Sequence, residues 1–96
     1  MKAAPDPLLV APARLTLMTM LTAVSEAEFS TLRERLGVSD SVLSKHITML
    51  VKANYLNSRK GTQLGRRTTW ISLTGPGRKA LRAHVAFLRE LIADVD

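Results

Sequence analysis

Ser41, Ser44, Lys45, Thr48 and Lys52 follow one another at steps of three, one, three and four residues. On an α-helix those steps place all five along one edge. Their chemistry is of one kind. Hydroxyls donate and accept hydrogen bonds, ammonium groups only donate, and serine is short enough to let a backbone come close to whatever it faces. Such an edge suits the acceptor-rich base edges of a DNA major groove and the phosphates beside it. Asp40 and Val42 stand at the N-terminal end of the same run, the end that reaches deepest when a helix enters a groove. A second set follows. Arg59, Lys60, Gln63, Arg66 and Arg67 surround a glycine-bounded stretch, Gly61 to Gly65, with no acid among them. Cations about a tight tip can follow a phosphate backbone or enter a narrow minor groove.

Other chemistries lack their residues. The sequence offers no nucleophile beside a base, no paired carboxylates in a plausible cleft and no metal-ligand spacing. There is no cysteine, which removes thiol catalysis, thiolate metal sites and disulfides and suits a reducing compartment. The expectation is a protein that is not an enzyme and takes no cofactor and no metal. No apolar run approaches the roughly 18 residues of a membrane span, and the first residues lack the pattern of a signal peptide. A cytoplasmic location is expected.

The formal charge of +6 is unevenly laid out. Glu26, Glu28, Glu34 and Asp40 lie in the first half, and no acid occurs from Ser41 to Arg89. That stretch carries Lys45, Lys52, Arg59, Lys60, Arg66, Arg67, Arg78, Lys79, Arg82 and Arg89. A one-sign block threaded through patterned structure is the footprint of a polyanion binder. Aromatic residues make up only 4% of the chain, too few for a platform that stacks single-stranded bases. An RNA-binding protein, or a protein-interaction module without operator specificity, stays the alternative.

The elements that must position these residues can be read in turn. The 96 residues suit one small domain. Leu15, Met18 and Leu21 give a helix over 12–24, with Pro12 in its first turn. Residues 25–28 read as a polar link and Phe29 as a plug or short strand. Ser30 is placed to cap a helix over 31–36, and Gly37 to end it in the left-handed conformation. Ser39 caps a helix over 40–53, whose buried stripe Leu43, Ile47 and Leu50 turns the polar edge outward. Asn54 ends it. Strands over 55–60 and 66–73 read as a hairpin with its tip over 61–65. Thr74 and Pro76 start a last helix, on which Leu81, Val85, Leu88, Ile92 and Val95 repeat as in a heptad. Residues 1–7 read as a loose arm, and Leu8-Leu9-Val10 as a segment that docks on a partner. Trp70 packs the hairpin onto the body. Met18, Met20 and Met49 fill gaps. His46 packs beside the buried stripe or meets phosphate, and His84 is a polar interruption of the last helix's apolar face.

A short helix, a glycine turn and a longer helix make a helix-turn-helix. The stretches "PARLTLMTML", "FSTLRERLGVSDSVLSKHITMLVKANYL" and "GRRTTWISLTGPGRKAL" together resemble the winged-helix transcriptional regulators of the MarR and ArsR type, in particular compact single-domain winged-helix DNA-binding proteins. The resemblance implies a mainly α fold with a small β-hairpin: a winged helix-turn-helix with a C-terminal dimerisation helix. It implies an arm at 1–11 and a domain at 12–96 that includes the dimerisation helix at about 74–96. Asp40, Ser41, Val42, Ser44, Lys45, Thr48 and Lys52 would lie on DNA, with Arg59, Lys60, Gln63, Arg66 and Arg67 on the wing. Leu8, Leu9, Leu81, Val85, Leu88 and Ile92 would form the homodimer interface. The implied function is a sequence-specific regulator of double-stranded DNA, a homodimeric repressor acting by promoter occlusion. The chain departs from metal-sensing relatives in its lack of cysteine, with His84 and Glu90 or Asp94 only a remnant of a ligand set. Neither the operator nor any small-molecule effector is legible.

Overall fold

The computed structural model describes residues 3–95; Met1 and Lys2 of the expected arm, and Asp96 of the expected last helix, lie outside the described residues. The order is α1 (Pro12–Leu21), β1 (Ala27–Glu28), α2 (Phe29–Leu36), α3 (Asp40–Lys52), β2 (Leu56–Gln63), β3 (Arg66–Leu73) and α4 (Gly75–Ile92). The three strands form an antiparallel sheet in the order β1-β3-β2. The fold is the winged helix-turn-helix that the sequence implied.

The apolar stripes meet in one core. Leu17, Met18 and Leu21 of α1 join Leu32 of α2, Leu43, Ile47 and Leu50 of α3, Leu56 and Ile71 of the sheet, and Leu81 of α4. Burying a leucine fully is worth about 1.5–3 kcal/mol, so the α3 stripe fixes that helix's rotation about its axis. Gly37 and Asn54 both adopt positive φ, 66° and 63°, and end α2 and α3 as expected. Tyr55 N–H then closes the end of α3 by donating to Leu50 C=O at 2.8 Å.

The start of α4 is seated on that same end. Thr74 Oγ1 accepts from Gly77 N–H at 2.8 Å and donates to Asn54 C=O at 2.6 Å, while Thr74 N–H donates to Tyr55 C=O at 3.0 Å. Gly77 lies so close to the Tyr55 backbone that no side chain fits between them.

Several boundaries and placements differ from expectation. Helix α1 stops at Leu21, where Thr22 folds back on Thr19 through both its N–H and its hydroxyl, and Val24 is exposed. Ser30 is no cap: α2 begins at Phe29, and the Ser30 hydroxyl donates to the Glu28 carboxylate. The supposed polar link contains β1, which pairs Ala27 with Ile71 and Glu28 with Trp70. That pairing sets the direction from which α2 starts. Met49 is exposed on α3 rather than filling a gap.

The arm is docked. Asp6 N–H donates to Nδ1 of His84 at 3.0 Å, Asp6 Oδ1 accepts from Leu8 N–H at 2.9 Å, and Oδ2 accepts from the Tyr55 hydroxyl. That hydrogen bond first, then burial and the Asp6 charge, push the Tyr55 phenol up to about 12. His84 is the polar residue on the buried face of α4, beside Leu81: it is 2% exposed and receives the arm. Leu9 and Leu81, expected at a partner surface, are consumed by the chain's own core. Leu8 packs against that core as well.

Candidate nucleic-acid interface

Helix α3 presents the edge that its spacing promised. Ser41, Val42, Ser44, Lys45, Thr48 and Lys52 are all exposed, opposite the buried stripe. Its first turn is well fixed. The Ser39 hydroxyl accepts from Val42 N–H at 3.2 Å and lies 3.2 Å from the Ser41 hydroxyl. Asp40, expected on DNA, is exposed and has a partner within the protein. Its carboxylate takes a hydrogen bond from Arg33 of α2 at 2.8 Å and sits at the helix N-terminus, where the peptide dipoles favour an anion. Asp40 braces α2 against α3, and its charge would repel phosphate.

A second brace comes from α1. Arg14 donates through Nε to Leu8 C=O at 2.6 Å and lies 3.2 Å from Nδ1 of His46 through Nη1, with Met49 Sδ at 3.8 Å. Arg14 thus ties the docked arm to the flank of α3. Burial first, then the Arg14 charge, hold the His46 imidazole below its ordinary value. His46 is packed against Arg14, one of the two placements expected for it.

The wing differs in detail. Its tip is the two-residue turn Leu64-Gly65, with φ of 54° and 76°. Positive φ at both central residues is the turn type whose twist matches a hairpin. The tip therefore lies beyond Gly61, which pairs with Thr68 inside the sheet. Arg66 and Arg67 face Gln63 and Thr62, not Lys60 and Arg59. All four tip-proximal residues are exposed. With Leu64, Thr68 and Thr69, most of them line a cleft of about 640 Å³ against Glu28, Phe29 and Ser30 at the start of α2.

Arg59 is paired within the protein, although its side chain is 57% exposed. It donates to both Glu26 oxygens, at 3.0 Å through Nε, and its guanidinium lies 5.6 Å from the Trp70 ring centroid. The hydrogen bond to Glu26 raises its pKa above the ordinary value. Arg59 and Trp70 thus clamp the wing to the segment before β1. Lys60 stays exposed and donates to Thr69 Oγ1 at 3.3 Å. Among the described residues, the ion pairs are those of Arg33 with Glu34 and Asp40 and of Arg59 with Glu26. Lys45, Lys52, Lys60, Arg66 and Arg67 are in none of them. Sequence reasoning missed Arg14, Arg33 and Glu26, whose partners are set by the fold.

This arrangement, a capped helix with an outward polar edge beside a basic hairpin, is built to meet a nucleic-acid duplex. Residues 13–92 match the model of the family described as the winged helix DNA-binding domain, and the chain belongs to that family. It is a DNA-binding regulator of the winged-helix, MarR-like type, whose partner is double-stranded DNA and which is not an enzyme. An uncharacterized protein of Methanocaldococcus jannaschii is 25% identical over 83 residues, covering 86% of this chain and 90% of its own. The transcriptional regulator homologue of Pyrococcus horikoshii OT3 has the same fold with a TM-score of 0.85 at 25% identity, over 93% of this chain and 88% of that one. A MarR family transcriptional regulator from Streptomyces coelicolor matches with a TM-score of 0.73 at 25% identity, over 88% of this chain and 60% of its own. The M. tuberculosis transcriptional regulator MOSR, solved in complex with DNA, shares the fold alone: TM-score 0.71, 22% identity, 93% of this chain and 66% of that one. Among the described residues no helix is long and apolar enough to cross a membrane.

Proposed function

We propose that the protein is a homodimeric repressor that binds a specific duplex sequence and occludes a promoter, in the cytoplasm. The observation that carries the reading is the exposed edge of α3 together with Lys45, Lys52, Lys60, Arg66 and Arg67, which take part in none of the ion pairs among the described residues. Ser41, Ser44, Lys45 and Thr48 approach base edges, and Lys52, Lys60, Gln63, Arg66 and Arg67 hold the backbone. The arm and the body act as one domain, with the last helix as its dimerisation element. Support for the dimer is the end of α4 and the turn after it, where Leu91, Ile92 and Val95 are 62%, 59% and 71% exposed. Apolar surface of that kind marks an association face. Val85 and Leu88 continue it inward. A two-fold dimer of this shape would present its recognition helices about 34 Å apart or a multiple of that, to a near-palindromic site. The test combines selection of duplexes from a random pool with sedimentation of the wild type and Leu88→Glu. The expected result is an inverted repeat, a wild-type dimer, and a variant that is monomeric and loses the site. A wild-type monomer at micromolar concentration, or equal binding to RNA and random duplex, would sink the reading.

A further inference from the structure

Val42 is the one exposed apolar side chain in the first turn of α3. It is 41% exposed, and the residues three before it and three and four after it, Ser39, Lys45 and His46, are polar. Nothing in the protomer's core claims it. Nor is it there for the helix, since valine forms helix less readily than alanine. We propose that Val42 reads a thymine 5-methyl group in the major groove, and so sets one position of each half-site as thymine. This inference rests on the sequence-specific reading of α3 given above.

The physical argument has two sides. Thymine is the one DNA base that shows a methyl group in the major groove. An apolar side chain seated on it removes both from water, worth about a fourfold gain in affinity for one methyl-sized group. The second side is exclusion. Cytosine presents an amino group there and adenine another. Valine cannot accept from either, and a donor buried without a partner is costly. Valine is also stiff at χ1, so little side-chain entropy is lost on contact. Backbone geometry fixes where it points. Val42 N–H is the donor to the Ser39 cap, at 3.2 Å, and Leu43 beside it is wholly buried. The first turn therefore cannot rotate to withdraw the side chain without breaking the cap or exposing a core leucine.

The test uses the full chain and the best duplex from a random-pool selection. Each thymidine is replaced in turn by deoxyuridine, which removes the methyl and leaves the base pair intact. Dissociation constants are measured for the wild type, Val42→Ala and Val42→Thr, with thermal melts to confirm that each variant is folded. The expected result is one position per half-site where deoxyuridine weakens the wild type about fourfold. At that position the same replacement should cost both variants less than the wild type, Val42→Ala by the wider margin because Val42→Thr keeps one γ-methyl. Substituting 5-methyldeoxycytidine with its guanine partner should bind better than unmethylated deoxycytidine there, for the wild type only. The inference is overturned if the wild type prefers the selected duplex over random DNA yet tolerates deoxyuridine everywhere. It is also overturned if the deoxyuridine penalty persists undiminished in both variants. Selection that yields no preferred duplex defeats the sequence-specific reading, and this inference with it.

Discussion

Replacing Gly77 by alanine tests how α4 is seated. A Cβ on Gly77 would lie 2.1 Å from Tyr55 O, 2.8 Å from its carbonyl carbon and 2.9 Å from its Cα. A carbon and a carbonyl oxygen rest at about 3.3 Å or more, so the helix must retreat by roughly 1.2 Å, and both sides of the contact are backbone. Overpacking of this kind costs about 1–3 kcal/mol. The hydrogen bond from Thr74 N–H to Tyr55 C=O, 3.0 Å long, is strained or lost for about 1 kcal/mol more. Alanine returns up to about 1 kcal/mol through its better helix propensity. The net loss is about 2 kcal/mol, which lowers the Tm of a domain this size by roughly 8–16 °C. Gly75→Ala is the control: a Cβ there meets nothing within 4 Å, so it should melt at or above the wild type. Thermal unfolding followed by circular dichroism reads both. Equal Tm values for the two variants would refute the claim that α4 is seated on Tyr55.

Three further outcomes follow from the same structure. Arg66→Ala with Arg67→Ala should lower the salt dependence of DNA binding by about one per lost phosphate contact, hence roughly two to four in a dimer, while preference for the selected site over random duplex barely changes; an unchanged slope would take the wing off the DNA. Tyr55 is the only tyrosine, so absorbance at alkaline pH reports it alone. With its pKa raised from 10.0 to about 12, the unfolded chain loses the proton first, and stability should fall as pH rises through that window; in Tyr55→Phe denaturant midpoints should lose this slope. His46 is shifted the other way, below 6.5. The unfolded chain gains that proton first, so stability contributed by the neutral imidazole is present above pH 6.5 and falls as pH drops toward the depressed folded value. Urea titrations from pH 7.5 to 5 should show a shallower decline for His46→Gln.

What was legible in the sequence had short range. The stripe Leu43, Ile47 and Leu50 repeats within two turns, so it gave the rotation of α3 and with it the edge from Ser41 to Lys52. Gly37, Asn54, Thr74 and Pro76 act on their own backbone, and each stands where its chemistry indicated. What escaped depends on distant pairs. Glu26 meets Arg59 33 residues on, and Asp6 meets His84 78 residues on. Strand β1 has two residues, too few for any period. The wing's tip was misplaced because Leu64, a residue that seldom takes positive φ, adopts it here, while Gly61, which invites a turn, stays in the strand.

The docked arm bears on how the chain comes off the ribosome. Asp6 and Leu9 are made early, but His84, which receives the arm, is made 78 residues after Asp6. At about 5–20 residues per second that interval lasts roughly 4–16 s. Throughout it the nascent chain carries Leu9, Leu17, Met18 and Leu21 without the helix that completes their shelter, an apolar segment of the kind that nascent-chain chaperones hold. A chain that ends short of His84 loses the acceptor for Asp6 N–H and keeps only the Tyr55 and Arg14 contacts of the arm.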